Sequence, residues 1–230
     1  MAGSGDIVAP EGCAADIATL GCTEKVRDQM RKRGSKGEHT KLALRQNAIS
    51  LLYKHGYEGM SLRLLARETG LQAGSIYNYI DSKEEFVAQI VCDTLRELVD
   101  AILESFEDND QVKEKLRKYV STLVDWNTLR KHEAVISQSE TRMLPKSFLN
   151  EFMKLRREFE MIGLRLIEEG VEEGVFRVSD PILASIAMYN LLMGIAVWYK
   201  DDGRLGADEL KIEYYTLIEN MLGVRSSLNG

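Results

Sequence analysis

The residue patterns that hold metals or carry out catalysis are missing from this sequence of 230 residues. Its three histidines lie far apart and have no cysteine or carboxylate partner at ligand spacing. No CxxC pair is formed by its three cysteines, which are Cys13, Cys22 and Cys92. The glycines form no loop of the kind that cradles phosphates. We therefore expect no metal, no cofactor and no enzymatic activity.

Signals for export and for β-structure are also missing. Residues 1–22 are small and rich in Gly and Ala, and they lack the basic start and long apolar core of a signal peptide. Three free thiols suit a reducing compartment, so we expect a cytoplasmic protein. From Ser82 onward only Pro145 and Pro181 interrupt helical patterns, and no alternating strand pattern is present. The sequence predicts an all-α fold.

Charge is divided unevenly along the chain. The net charge is −6 overall, yet residues 23–83 hold 12 Lys/Arg against 6 Asp/Glu. Residues 84–230 carry the acidic excess. A basic head on an acidic body suits a protein that contacts DNA phosphates at one end only. The basic residues of 25–36 fit either a solvated tail or a flexible arm that contacts DNA.

A helix-turn-helix pattern occupies residues 44–86. Apolar residues from Leu44 to Tyr53 fall on one helical face, and Gly56 ends that helix. Ser61 is a natural N-cap for the second helix, and Gly70 gives the backbone freedom for a sharp turn before the third. Ile76 and Ile80 are spaced to face the core formed by the second helix. Ser82 and Glu85 predict a capping box at the start of a fourth helix. A small packed helical subdomain without DNA contacts is the alternative.

The run GYEGMSLRLLARETGLQAGSIYNYIDSKEEF, from Gly56 to Phe86, resembles the DNA-binding domain of the tetracycline-repressor (TetR) family of transcriptional regulators. Two positions depart from the family pattern, since Tyr79 replaces the usual His and Ile80 the usual Phe. The resemblance implies a palindromic double-stranded operator. It also implies a set of DNA-binding candidates, namely Ser61, Arg63, Gln72, Ala73, Gly74, Ser75, Tyr77, Asn78, Tyr79 and Lys83.

Roles for these candidates follow from the same resemblance. Tyr77 and Lys83 are expected to contact phosphates, because Lys83 begins a helix whose free N–H groups favour anions. Polar side chains at the front of a recognition helix reach the groove floor. Base-edge contacts are therefore expected from Gln72, Ala73, Ser75 and Asn78.

Three regions are predicted along the chain. Residues 1–36 are expected to be a disordered extension with a basic arm, residues 37–83 a helix-turn-helix domain, and residues 84–230 a ligand-binding and dimerisation domain. In the last of these, an apolar stripe from Phe86 to Phe106 predicts a helix that joins head and body. Further helices are expected around Leu116–Leu123, after Pro145, from Pro181 to about Lys200 and from Ala207 to about Leu222.

The last two predicted helices are unusually apolar. Apolar residues cover more than one face of the helix that begins at Pro181, so it needs burial on several sides. Asn190 and the short length argue against a membrane span. We expect a homodimer in which two copies of this helix pair form a four-helix bundle. An intrachain core is the alternative.

A motif near the C-terminus indicates the class of signal. WYKDDGRLGADEL, from Trp198 to Leu210, resembles the corresponding motif in TetR-family regulators of fatty-acid and sterol catabolism that respond to acyl-CoA thioesters. Large, adaptable or cationic side chains suit such a ligand. The ligand-binding candidates are Trp126, Arg130, Phe148, Phe152, Met153, Arg156, Tyr189 and Met193.

The function expected from these features is a repressor that a small lipophilic effector, such as an acyl-CoA, releases from its operator. Two alternatives stay open. One is a drug-sensing repressor of an efflux gene, and the other is a dimerising scaffold without a small-molecule ligand. Aromatic and Met residues at helical spacing also occur in ordinary cores.

Overall fold

The computed structural model describes residues 24–139, 141 and 144–224, with side chains from residue 37 onward. The chain divides into two units between Lys41 and Leu42. Every regular element in the described ranges is helical, which agrees with the predicted all-α class. The elements in chain order are α1 Glu24–Gly59, α2 Leu62–Glu68, a 3-10 helix Ser75–Asn78, α3 Lys83–Ser105, α4 Val112–Leu129, α5 Lys131–Ser139, α6 Lys146–Glu172, α7 Pro181–Met193, α8 Ile195–Trp198 and α9 Ala207–Met221.

Local signals in the head, residues 42–82, act as the sequence predicts. Gly56 leaves the helical conformation with φ 65° and ψ 179° near the end of α1. The Leu64 N–H donates to Ser61 Oγ at 3.1 Å, which caps α2. Gly70 takes φ 73° in the turn that follows, a conformation that favours glycine. Beyond this turn, Ile76 and Ile80 are buried beside Leu65.

Helix α3 joins the head to the rest of the second unit. Its 23 residues span about 34 Å at the standard rise. Ser82 Oγ accepts from the Glu85 N–H at 3.1 Å, whereas the return bond of the predicted capping box is absent from the described residues. The buried stripe from Val87 to Ile102 joins the cores of head and body into one apolar cluster. A displacement of α3 would therefore change the packing in both the head and the body.

The body packs α3 and α4 against α6, and α9 against α4. Helix α7 lies on α6 and also contacts α4 and α9. The largest side chains buried in this part of the chain include Tyr119, Phe176, Leu116, Leu123, Ile167 and Met188. Residues of α6 line two clefts in this body.

Three features differ from the sequence-based expectation. Helix α1 begins at Glu24, so the backbone of residues 25–36 is helical here rather than irregular, while residues 1–23 lie outside the described ranges. Helix α5 was not predicted, because the break before it is made by Arg130 (φ −116°, ψ 36°), with no Gly or Pro to mark it. The helix predicted from Pro181 to about Lys200 is divided at Gly194, where an added Cβ would lie 3.1 Å from the Asn190 carbonyl oxygen of the same helix.

The segment Pro181–Trp198 is long and apolar enough to cross a membrane by length and composition alone. The division at Gly194 splits this segment into α7 and α8. About a third of the segment, 33 %, is buried inside the structure. Several of its remaining apolar side chains are exposed.

Candidate DNA interface and effector clefts

The recognition segment, residues 72–79, packs on the core through the buried Ile76 and exposes polar side chains to solvent. Ile76 anchors the 3-10 helix with 1 % of its surface exposed. Gln72 and Asn78 are exposed, and Tyr77 keeps 63 % of its surface in solvent. No acidic residue occurs between Thr69 and Ile80. This surface can approach the phosphate-lined groove of a duplex without like-charge repulsion.

Helix α2 adds a second edge to this surface. Arg63 is exposed and makes no ion pair within the described residues. The Ser61 hydroxyl already accepts the capping bond from Leu64. Between α2 and the turn lies a shallow depression of about 440 Å³, lined by Ser61, Arg63, Leu64, Arg67, Leu71 and Ala73. Three of the DNA-binding candidates meet there.

Lys83, at the start of α3, is held in place by Tyr57. Its ammonium group lies 3.9 Å from the centroid of the Tyr57 ring, a cation–π contact. The Tyr57 hydroxyl donates to Glu84 Oε1 at 2.9 Å. Burial and then this bond raise the pKa of Tyr57 to about 12, so the phenol stays neutral near pH 7. Tyr57 was not predicted as a functional residue, although the sequence places its aromatic ring just ahead of α2.

An ion-pair network links the head to the body. Arg45 of α1 donates to Glu97 Oε1 of α3 at 2.9 Å, and Arg130 donates to Glu97 Oε2 at 2.5 Å. Arg130 ends α4 and stacks over the Trp126 ring at 4.1 Å. Nearby, the Tyr53 ring of α1 stacks on His132 of α5 with centroids 4.0 Å apart. Helices α1, α3, α4 and α5 are thus joined by polar and ring contacts.

The first cleft of interest, called here the effector cleft, lies where α4, α6 and α7 meet. It measures about 380 Å³ and is lined by Tyr119, Arg156, Glu160, Met161, Leu164, Ile182, Ser185, Ile186, Tyr189 and Asn190. Two of the predicted ligand-binding residues, Arg156 and Tyr189, lie in this lining. Tyr119 falls within the helix predicted around Leu116–Leu123 but was not among the predicted ligand-binding residues, because spacing alone does not show which side chain borders a cleft.

The second, called here the basic cleft, lies between α3, α4 and α6. It measures about 620 Å³ and is lined by Leu103, Phe106, Lys115, Lys154, Arg157, Glu158, Met161, Ile162, Arg165, Leu166 and Glu169. Lys115 is paired with Glu169 at 2.6 Å. Lys154, Arg157 and Arg165 form no ion pair within the described part of the chain. Apolar side chains and unpaired cations in the same lining suit an amphipathic anion.

The remaining ligand-binding candidates lie elsewhere in the body. Trp126, Phe152 and Met193 are buried in the core. Phe148 packs partly buried against that core, and Met153 is 59 % exposed. Arg130 belongs to the network on Glu97. Their role toward a ligand stays a prediction.

One face of the body is apolar and exposed. Between 51 % and 76 % of the surface is in solvent for Leu183, Val197, Trp198, Ile212 and Leu217. These residues belong to α7, α8 and α9, and together they are called here the apolar face. Helix α7 contacts both α8 and α9, so these exposed apolar side chains belong to neighbouring helices.

A helix-turn-helix head with a polar, acid-free recognition segment, carried on a helical body with ligand-sized clefts, defines a DNA-binding regulator. Comparison with known families agrees. Residues 44–90 match the family described as "Bacterial regulatory proteins, tetR family", and residues 109–222 match "Tetracyclin repressor-like, C-terminal domain". The chain belongs to the TetR family of transcriptional regulators, and its members are not enzymes.

Individual relatives are distant but cover most of the chain. The HTH-type transcriptional repressor KstR2 of Rhodococcus jostii is 24 % identical over 80 % of this chain and 91 % of its own length. PfmR, a TetR family regulator of Thermus thermophilus, is 29 % identical and superposes with a TM-score of 0.70, covering 77 % of this chain and 97 % of PfmR. AibR in complex with isovaleryl coenzyme A and operator DNA is 19 % identical, with a TM-score of 0.73 over 81 % of this chain and 100 % of AibR.

Proposed function

We propose that this protein is a homodimeric repressor in the cytoplasm that an acyl-CoA thioester releases from a palindromic operator. One observation carries the proposal. Helix α3 and the Glu97 network join a DNA-binding head to a body that contains both an apolar and a cationic cleft. Each part of the proposal has its own support.

Operator binding rests on the recognition segment. Gln72, Ser75 and Asn78 supply hydrogen-bonding groups for base edges, and Tyr77 supplies a phosphate contact. Lys83 adds a charged phosphate contact beside the N–H groups at the start of α3. Two such heads, one from each subunit, would read half-sites about 34–36 Å apart.

Dimerisation rests on the apolar face. Exposed aliphatic and aromatic side chains on α7, α8 and α9 are unfavourable in water, and burial against a second copy removes that surface from solvent. A two-fold axis makes the same face complementary to itself. The occupant that fits best is therefore an identical subunit, because a palindromic operator requires two heads.

The effector class rests on the chemistry of the two clefts together with the relatives. Met161 lines both the effector cleft and the basic cleft. An acyl-CoA combines an apolar acyl group with phosphates. The acyl group suits the lining of the effector cleft, and the phosphates suit the lining of the basic cleft. AibR was crystallised with isovaleryl coenzyme A and operator DNA, so a relative of the same fold meets both ligands.

Release requires a ligand that favours a spacing of the heads unable to fit the operator. The effector cleft is walled by α4, α6 and α7, and α4 ends at Arg130 in the Glu97 network. A ligand that shifts α4 would act on Arg130, and through Glu97 on Arg45 of the head. The route needs no contact between ligand and DNA.

The test is a gel-shift or fluorescence-anisotropy assay with DNA that flanks the protein's own gene. The proposal predicts a salt-sensitive complex that contains two subunits per site and dissociates on addition of an acyl-CoA. Release by a cationic dye but by no acyl-CoA would favour a drug sensor. Binding that no small molecule affects would favour a scaffold with a protein partner.

A further inference from the structure

Tyr119 is a largely buried tyrosine that lines the effector cleft, and its hydroxyl has no hydrogen-bond partner within the described part of the protein. Only 2 % of its surface is exposed, yet it lines the cleft. No hydrogen bond to its hydroxyl is formed within the described part of the chain. Among the described residues, the side-chain atom that is fully buried without a hydrogen-bond partner is Asn127 Oδ1, so the Tyr119 hydroxyl is not sealed from the cleft. A hydroxyl that reaches the cleft and makes no bond to the protein is free to bond a ligand there.

The packing around Tyr119 keeps its hydroxyl in this position. A Cβ at Gly163 of α6 would lie 2.9 Å from Tyr119 Oη and 3.4 Å from Met188 Cε. Glycine therefore leaves the space that the phenol occupies. Burial raises the pKa of Tyr119 far above its usual value, so the hydroxyl keeps its proton and can donate.

The other polar groups of the effector cleft restrict the chemical class of ligand that it can bind. Arg156 is already paired with Glu160 at 2.9 Å, and the Asn190 amide donates to the Ile186 carbonyl at 2.8 Å. No free positive charge is left in the lining to neutralise an anion. The rest of the wall is largely apolar, with Met161, Leu164, Ile182 and Ile186.

We propose that the Tyr119 hydroxyl donates a hydrogen bond to the carbonyl oxygen of the effector's acyl group, which lies in the effector cleft. The inference rests on the proposed function and deepens it. A neutral thioester carbonyl can accept this bond without a charge being buried, whereas the carboxylate of a free acid would place an unpaired charge in an apolar site. Tyr119 thus selects thioesters over the matched acids.

The experiment measures binding of isovaleryl-CoA, octanoyl-CoA, the two matched free acids and CoA alone to the wild-type dimer and to Tyr119→Phe by calorimetry. Thermal unfolding without ligand is measured in parallel. Loss of one neutral hydrogen bond should weaken thioester binding by roughly 3- to 10-fold. The unliganded variant should unfold at nearly the same temperature, because the removed hydroxyl makes no hydrogen bond within the described part of the protein.

Tyr215→Phe is the matched control, because the Tyr215 hydroxyl already donates to Glu219 at 2.8 Å. It should lower the unfolding temperature and leave thioester affinity unchanged, the reverse of the Tyr119→Phe pattern. Gly163→Ala, which places a methyl group against the Tyr119 hydroxyl, should also weaken thioester binding.

The outcomes separate the two claims. If the wild type binds the thioesters and Tyr119→Phe binds them equally well, the Tyr119 contact is wrong and the proposed function stands. If the wild type binds free acids as tightly as thioesters, the selection by Tyr119 is wrong. If the wild type binds no thioester, the acyl-CoA proposal falls and this inference falls with it.

Discussion

Arg45 donates to Glu97 at 2.9 Å, which ties the first helix of the head to the helix that joins head and body. The other carboxylate oxygen of Glu97 accepts from Arg130 at the end of α4. The Glu97 carboxylate therefore links α1 of the head, through Arg45, to α4 of the body, through Arg130. Helix α4 also carries Tyr119. In the proposed mechanism, this arrangement is the route by which a ligand bound in the body acts on the head.

Glu97→Gln should weaken that route without unfolding the protein. Both ion pairs are partly exposed, so their loss should change the free energy of unfolding by less than about 1 kcal/mol. Operator affinity and effector affinity, measured separately, should change little, while the factor by which effector weakens operator binding should fall. Glu114→Gln, which removes the exposed pair with Arg117, is the control. An unchanged coupling factor in Glu97→Gln would remove the network from the mechanism.

Lys83→Ala should weaken binding to operator and to unrelated DNA by similar factors. The side chain makes one phosphate contact in this account, so the slope of log affinity against log salt should become shallower by about 0.9. Lys200→Ala, which removes an exposed lysine of the body, should leave the slope unchanged. A wild-type slope for Lys83→Ala would mean that the start of α3 lies away from the DNA.

Asn78→Ala should lower specificity more than it lowers non-specific affinity. Asn78 is exposed on the recognition segment, and a side-chain amide reads base edges through paired hydrogen bonds. Loss of such a contact should reduce discrimination at one operator position by about 1–3 kcal/mol, measured by competition with operators altered one base pair at a time. A uniform loss over all altered operators would instead assign Asn78 to the phosphates.

Ile212→Asp and Leu217→Asp should each give monomers. Both side chains lie on the apolar face, with 67 % and 52 % of their surface in solvent. An aspartate at either position therefore stays in solvent in the single subunit and leaves its folding undisturbed. In a dimer each would bury an unpaired charge. Sedimentation should show the change, and binding to a palindromic site should be lost. Leu129→Asp, at an exposed leucine outside α7–α9, is the control and should stay dimeric.

The head was predictable from sequence because its signals are local. Ser61, Gly56 and Gly70 act through backbone geometry within a few residues, and each takes the expected conformation. The recognition element is shorter than a regular α-helix, a 3-10 helix over Ser75–Asn78. Periodicity places Ile76 inward in either geometry, so it cannot distinguish the two.

The clefts were not predictable because they depend on which helices meet. Arg156 and Tyr189 line the effector cleft, while Trp126 and Phe152, of similar chemical character, are buried in the core. The spacing of large side chains is the same in both cases. Tyr119 differs from its buried neighbours by one hydroxyl, whose lack of a partner is visible only once α4, α6 and α7 are packed.

The central claim is that effector and operator compete through the conformation of the dimer, and reciprocal linkage tests it most directly. Calorimetry would measure the affinity of isovaleryl-CoA or octanoyl-CoA for the free dimer and for the dimer saturated with operator. The account predicts weaker binding to the complex, by the same factor as the thioester weakens operator binding. A tenfold factor corresponds to about 1.4 kcal/mol of coupling. Equal affinity of the thioester for free and operator-bound dimer would contradict the account.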